Sequence, residues 1–215
     1  MTDPTTSSQP SPAGVEPGTW ERIVAQNPEH PRNYAERFRR MAAEGADLLG
    51  EARFVDTMAP RGARILDAGC GPGRHASWLA QRGHDVVGVD LDPTLIEIAG
   101  QEAPGPRYVV QDLTLLDLPA QGISEPFDVI LCAGNAIAFP APSSRPRILA
   151  NLARHLAPEG RCVIGFGAGR GYEFSDFLDQ AAAGGLELQL GLSTWDLKPF
   201  REDSDFLVAV FGRAR

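Results

Sequence analysis

This chain of 215 residues is short of several things that would define other protein classes. Only three cysteines occur, Cys70, Cys132 and Cys162, too few for a disulfide framework and without metal-ligand spacing. No bound metal is expected. No apolar run approaches the ~20 residues that a membrane span needs. The longest candidate, Phe127 to Phe139, carries Asp128 and Asn135, so no membrane partner is expected. The opening Met-Thr-Asp-Pro lacks the basic-then-apolar pattern of a secretory leader, which points to a cytoplasmic setting. Basic charge is also short. Twenty Lys and Arg face 28 Asp and Glu, a formal net charge of −8. A nucleic-acid partner would demand a basic surface, so none is expected. There is no internal repeat.

What is present is an ordinary folded composition, 43% hydrophobic and 22% charged, in a length that suits one domain. Residues 1–18 are rich in Pro, Ser, Thr and Gly and read as a disordered tail. Residues 19–60 read as an N-terminal helical lid. In it Tyr34, Phe38 and Met41 share a face at i, i+4 and i+7, and a second helix spans Glu51 to Met58. The stripe suits a lid over a ligand and a plain packing face equally.

From Ala63 onward, strands and helices alternate. Strands are expected at Ala63–Ala68, Val86–Val89, Tyr108–Val110, Phe127–Ala133 and Cys162–Phe166. Helices are expected at Arg74–Arg82, Pro93–Glu102, Ser143–Leu156 and Phe174–Ala183. Two final strands, Leu186–Thr194 and Phe206–Phe211, have no helix between them and make an antiparallel hairpin. The pattern predicts an α/β fold: a doubly wound, Rossmann-like sheet of seven strands, mostly parallel, with an antiparallel C-terminal strand and helices on both faces.

The strongest motif is Asp67-Ala-Gly69-Cys-Gly71-Pro-Gly73-Arg74, between a buried strand and a helix start. Glycines there allow close backbone approach to a ligand. A dinucleotide fingerprint would be G-x-G-x-x-G, whereas here the spacing is G-x-G-x-G. Asp67 at the loop entrance suits a cationic or zwitterionic ligand better than a pyrophosphate.

This loop and three later blocks resemble the class I S-adenosylmethionine (SAM)-dependent methyltransferases. The blocks are Val86-Val-Gly-Val-Asp90-Leu91-Asp92, Val109-Val-Gln-Asp112-Leu113, and Phe127-Asp-Val-Ile-Leu-Cys-Ala133-Gly-Asn135. Leu156-Ala-Pro-Glu-Gly160 is similar to a later block of the family. Within the family, the Tyr34-x-x-Arg37-Phe-Arg entry and Trp195-Asp196 resemble a small actinobacterial-type group of unassigned substrate. The resemblance implies SAM as cofactor and S-adenosylhomocysteine (SAH) as product. It implies that Asp90 takes the ribose hydroxyls and Leu91 packs on the adenine. Asp112 and Leu113 lie at the adenine edge. Gly69, Gly71 and Gly73 pass the methionine portion. Asp67 and the Ala133 carbonyl hold the ammonium, Arg74 or Arg37 meets the carboxylate, and Tyr34 and Asn135 complete the site. Asp90 and Asp112 also suit plain turn or cap roles, and Arg37 a solvated helix face.

The acceptor is expected at the loops after strands four, five and six. Asp196 is the first candidate base and Tyr172 the second; each also suits a structural reading, as a turn acid and a pocket wall. His75, His84 and His155 are placed poorly for the task, and His30, before the lid helix, stays open as a base. Ala133-Gly-Asn135-Ala stands where nucleobase- and protein-amide-methylating relatives carry Asp/Asn-Pro-Pro-aromatic. A small-molecule acceptor, methylated at oxygen or nitrogen, is the expectation. The competing readings are a catalytically silent SAM sensor and a nicotinamide-dependent oxidoreductase. The glycine spacing and the lack of a Tyr-x-x-x-Lys pair count against the oxidoreductase.

Overall fold

The computed structural model describes residues 15–214, so the first fourteen residues of the expected tail lie outside the described residues. Seven strands form one sheet: β1 (Arg64–Ala68), β2 (Asp85–Asp90), β3 (Arg107–Val110), β4 (Phe127–Cys132), β5 (Leu156–Gly167), β6 (Leu186–Leu192) and β7 (Phe206–Arg213). Their order is β3-β2-β1-β4-β5-β7-β6. The first five pair in parallel, and β7 inserts antiparallel between β5 and β6. Seven α-helices among the described residues complete the fold: α1 (Thr19–Gln26), α2 (His30–Ala43), α3 (Gly50–Met58), α4 (Arg74–Ala80), α5 (Pro93–Glu102), α6 (Arg145–His155) and α7 (Phe174–Ala183). Among the described residues no helix is long and apolar enough to cross a membrane.

The period-two geometry of the strands sorts their residues between two layers. Leu66, Ala68, Ile130 and Ile164 pack with Ile148, Leu152 and Phe177 of α6 and α7. Ile65, Val129, Leu131 and Val163 pack on the other face with Val55 of α3 and Ala76 and Leu79 of α4. The same alternation puts Asp67 on the α3/α4 face, beside the start of α4. A third, smaller cluster joins Trp20 and Ala35 of the N-terminal helices to Leu95 and Ile98 of α5.

Two elements depart from the sequence expectation. Helix α1 falls within the expected helical lid of residues 19–60 but has no bounds in that expectation, although Trp20, Ile23 and Val24 stand at i, i+3 and i+4. Strand β5 begins six residues earlier than the apolar pattern indicates, at Leu156 instead of Cys162. Pro158 and Gly160 lie inside it, where the register against β4 slips between Phe127 and Val129. A bulge absorbs the missing proline donor. Gly160 is required because a Cβ there would stand 2.9 Å from the Phe127 carbonyl oxygen.

Gly165 on β5 shows how tightly the α3 face is filled. A Cβ there would collide with the Trp195 ring, which also packs edge-on to Phe54 and Phe206. Gly165→Ala is therefore expected to displace the indole and to cost about 1–3 kcal/mol by overpacking. Chemical denaturation with Trp fluorescence checks this, and an unchanged midpoint would show that the ring yields freely.

Candidate functional site

The strand order reverses direction between β1 and β4, and a crevice opens there at the carboxyl ends of the strands, where such sheets bind ligands. A cleft of about 780 Å³, mouth included, occupies this place. Its floor is the loop after β1. Gly69 has φ +82°, and a Cβ on it would stand 2.6 Å from Ala136 Cβ. Only glycine fits a loop so twisted and so close to the segment after β4. Gly71 also lines the cleft. Gly73 does not: a side chain there would strike the Tyr108 hydroxyl, so this glycine serves the packing of α4 on β3.

Asp90 ends β2 and lines the cleft. Its Oδ2 accepts from the Gly71 backbone N–H at 2.8 Å, and its Oδ1 accepts from the Asp92 N–H at 3.0 Å. Burial nevertheless raises its pKa to about 6. A carboxylate accepts several bonds, so two N–H donors fix its rotamer and leave capacity for hydroxyl donors. Asp112 also lines the cleft while its Oδ1 caps the following turn through the Thr114 N–H at 2.7 Å. The cap role and a place in the wall coexist in that residue. Leu91, Leu113 and Ala133 complete the foreseen part of the wall, with Tyr34 across from Gly71.

Asp67 lies beneath the loop, 1% exposed. Its Oδ2 has no hydrogen-bond partner among the described residues. Burial raises its pKa, while His75, Arg74 and the Ala76 backbone N–H oppose the rise. Arg74 lines the cleft but is anchored from behind, with Nε donating to the Leu48 carbonyl at 3.1 Å and Nη2 3.4 Å from Glu51. Glu51 also lies 3.5 Å from His75 Nε2. Burial pushes Glu51 up, but His75 and Arg74 together outweigh that and hold it at about 2.

Other expected residues are placed elsewhere. Arg37 rests over the Tyr34 and Phe38 rings and is not in the wall. Asn135 does not line the cleft either; its Oδ1 accepts from the Gly167 N–H at 2.8 Å and ties the end of β4 to β5. Tyr172 is buried, stacked on Phe166 under the Arg145 guanidinium, and its hydroxyl donates to Gln180 at 2.7 Å. Burial pushes that phenol up to about 12. Asp196 sits on the turn after β6, held below the usual carboxylate range by the Thr194 hydroxyl and Lys198. The structure does not bring Tyr172 or Asp196 to the cleft, and a proton-accepting role for either finds no support in their geometry.

Several wall residues escaped the sequence reading: Trp20, His75, Leu95, Ala136, Phe139 and Pro140. Trp20 was findable from the periodicity of α1. The others carry no local signal, because tertiary packing alone brings them to the crevice.

Comparison with known proteins agrees with this geometry. Residues 65–160 match the model of a methyltransferase domain. A crystal structure of a TehB-like SAM-dependent methyltransferase from Corynebacterium glutamicum is 54% identical. It covers 87% of this chain and 100% of its own, with a TM-score of 0.82. The dTDP-4-amino-2,3,4,6-tetradeoxy-D-glucose N,N-dimethyltransferase of Saccharopolyspora spinosa is 33% identical over 67% of this chain and 57% of its own length. A ubiquinone biosynthesis O-methyltransferase of Coxiella burnetii is 33% identical over 47% of this chain and 42% of its own. The chain spans about half the length of these curated relatives. Sheet order, glycine loop, strand-end acid and an identity held over the full length of a solved relative agree: the chain belongs to the class I S-adenosylmethionine-dependent methyltransferases.

Proposed function

We propose that the chain binds SAM in this cleft and transfers its methyl group to oxygen or nitrogen of a small molecule, leaving SAH. Asp90 carries the reading. It is a buried acid at the end of β2, oriented by two backbone donors behind a glycine loop, with acceptor capacity left for a pair of ribose hydroxyls. The orphaned Oδ2 of Asp67 suits an ammonium donor. Asp90 and Asp112 in the wall, with Asp67 and Glu51 behind it, set negative charge against the anchored Arg74, which favours a cation over a pyrophosphate.

Bound there, SAM supplies an electrophilic methyl on a cationic sulfur. The chain's part is to hold the reactants in line and to exclude water, a positioning effect that dominates such transfers. Tyr34 and Trp20 of the N-terminal helices cover the cleft for that purpose. With Tyr172 locked onto Gln180 and Asp196 exposed, proximity carries more of the reaction than a dedicated base. The amino-sugar and ubiquinone-pathway relatives support a small acceptor. The acidic net charge supports a chain without a nucleic-acid partner, and three buried free cysteines support a reducing, cytoplasmic setting.

Calorimetry and thermal shifts with SAM, SAH and NAD(H), followed by a metabolite screen read out as SAH formed, test the proposal. Stabilisation by NAD(H) and not by SAM would sink it. Binding without any turnover would turn it into a sensor.

A pH dependence follows from Asp90. Its pKa near 6 means that the ligand-free protein takes up a proton there in mildly acid solution. The neutral acid offers the ribose one acceptor fewer. SAH affinity is expected to be flat above pH 7 and to fall several-fold between pH 7 and pH 5. Calorimetry across that range checks this, and an affinity constant to pH 5 would remove Asp90 from the contact.

A further inference from the structure

Trp20 is the wall residue with the most elaborate support. Helix α1 has eight residues, too few to be stable alone. It is fastened at three places. The Thr19 N–H donates to the Phe139 carbonyl at 2.7 Å, Gly18 is packed so close that a Cβ would stand 2.6 Å from the same oxygen, and Trp20 Nε1 donates to Asp92 Oδ2 at 2.8 Å. The other oxygen of Asp92 caps α5, accepting from the Thr94 N–H at 2.8 Å and the Leu95 N–H at 3.2 Å. The backbone N–H of that same Asp92 is one of the two donors that orient Asp90. Trp20, Asp92 and Asp90 therefore form one hydrogen-bonded chain from the lid to the strand-end acid. The indole lies edge-on to Tyr34 at 5.2 Å and to Phe139 at 6.0 Å, and it shares a cluster with Leu91 and Leu95. These side chains make an apolar, aromatic wall directly beside Asp90.

We propose that Trp20 positions the nucleoside end of the cofactor: its ring closes the wall against the purine, and its N–H locks the Asp92–Asp90 unit in the ribose-accepting geometry. The inference rests on the SAM reading above and adds to it a residue and an end of the ligand. Trp20 thereby makes α1 part of the nucleoside site and not only a cover.

The test compares Trp20→Ala and Trp20→Phe with wild type by calorimetry, using SAH and 5′-methylthioadenosine, which keeps the nucleoside and lacks the amino-acid end. Ligand-free melting temperatures are read alongside. Base–aromatic contacts of this kind make Trp20→Ala expected to weaken both ligands by the same factor, about 10- to 100-fold. Trp20→Phe keeps a ring in the cluster, guards against a folding failure, and is expected to recover part of that loss. Unchanged methylthioadenosine affinity in either soluble variant overturns the inference, as does a loss confined to SAH. Wild-type protein that binds neither ligand overturns the SAM reading and this inference with it. Wild type that binds while Trp20→Ala binds equally well overturns this inference alone.

Discussion

Asp90→Ala is expected to lower the affinity for SAH at least ~100-fold and to leave the protein folded. Each hydrogen bond to an ionised acceptor contributes ~1.5–3 kcal/mol, and two ribose hydroxyls would lose theirs. The Gly71 N–H would lose its anchor at the same time, which loosens the loop under the ligand. The fold survives because two effects oppose each other. Two buried N–H groups lose an acceptor, at ~1–3 kcal/mol each. Against that, the wild-type acid has its pKa raised to about 6 by burial, so keeping it ionised at pH 7 costs the fold on the order of 3 kcal/mol. The sign is that of a group which holds its proton more tightly when folded. Its presence weakens the ligand-free protein as pH rises from about 4 to 6. Calorimetry with a melting curve separates the two effects, and a folded variant with wild-type affinity would refute the role.

Asp67→Asn is expected to raise the melting temperature of the ligand-free protein by a few degrees while SAM affinity drops ~10-fold or more. The wild-type carboxylate is 1% exposed, and its Oδ2 has no partner among the described residues. Desolvation raises its pKa despite the Arg74 charge nearby. An isosteric neutral amide removes that penalty. It also removes the charge that an ammonium would meet. A site that is costly when empty and satisfied by its ligand is the usual trade between stability and function. If Asp67→Asn melts lower and binds SAM normally, Asp67 is a structural hinge of the glycine loop.

The sequence carried the frame of this site well where chemistry is local. Alternating apolar runs located six of the seven strands to within two residues, because half-buried and fully buried strands write their period into the chain. Asp90 and the Gly69–Gly71 loop were legible because a positive φ and a strand-end carboxylate each demand a residue type. Strand β5 was misjudged at its start because a bulge lets Pro158 and Gly160 sit inside a strand, against their ordinary meaning. The family resemblance offers Arg37, Gly73 and Asn135 as cofactor contacts. In the fold they stack on Phe38, pack on Tyr108 and tie β4 to β5. Spacing places a residue on a loop but does not say which way its side chain turns. His75, Leu95 and Phe139 come to the cleft only through long-range packing, which no local pattern encodes.

The central claim is that the cleft between the glycine loop and the end of β2 is a SAM site. The most direct measurement is a calorimetric titration of the intact chain with SAH, repeated with NAD(H). The account predicts saturable binding of one SAH per chain, largely lost in Asp90→Ala, and no measurable heat from NAD(H). Binding of NAD(H) in place of SAH, or SAH binding indifferent to Asp90, would contradict it.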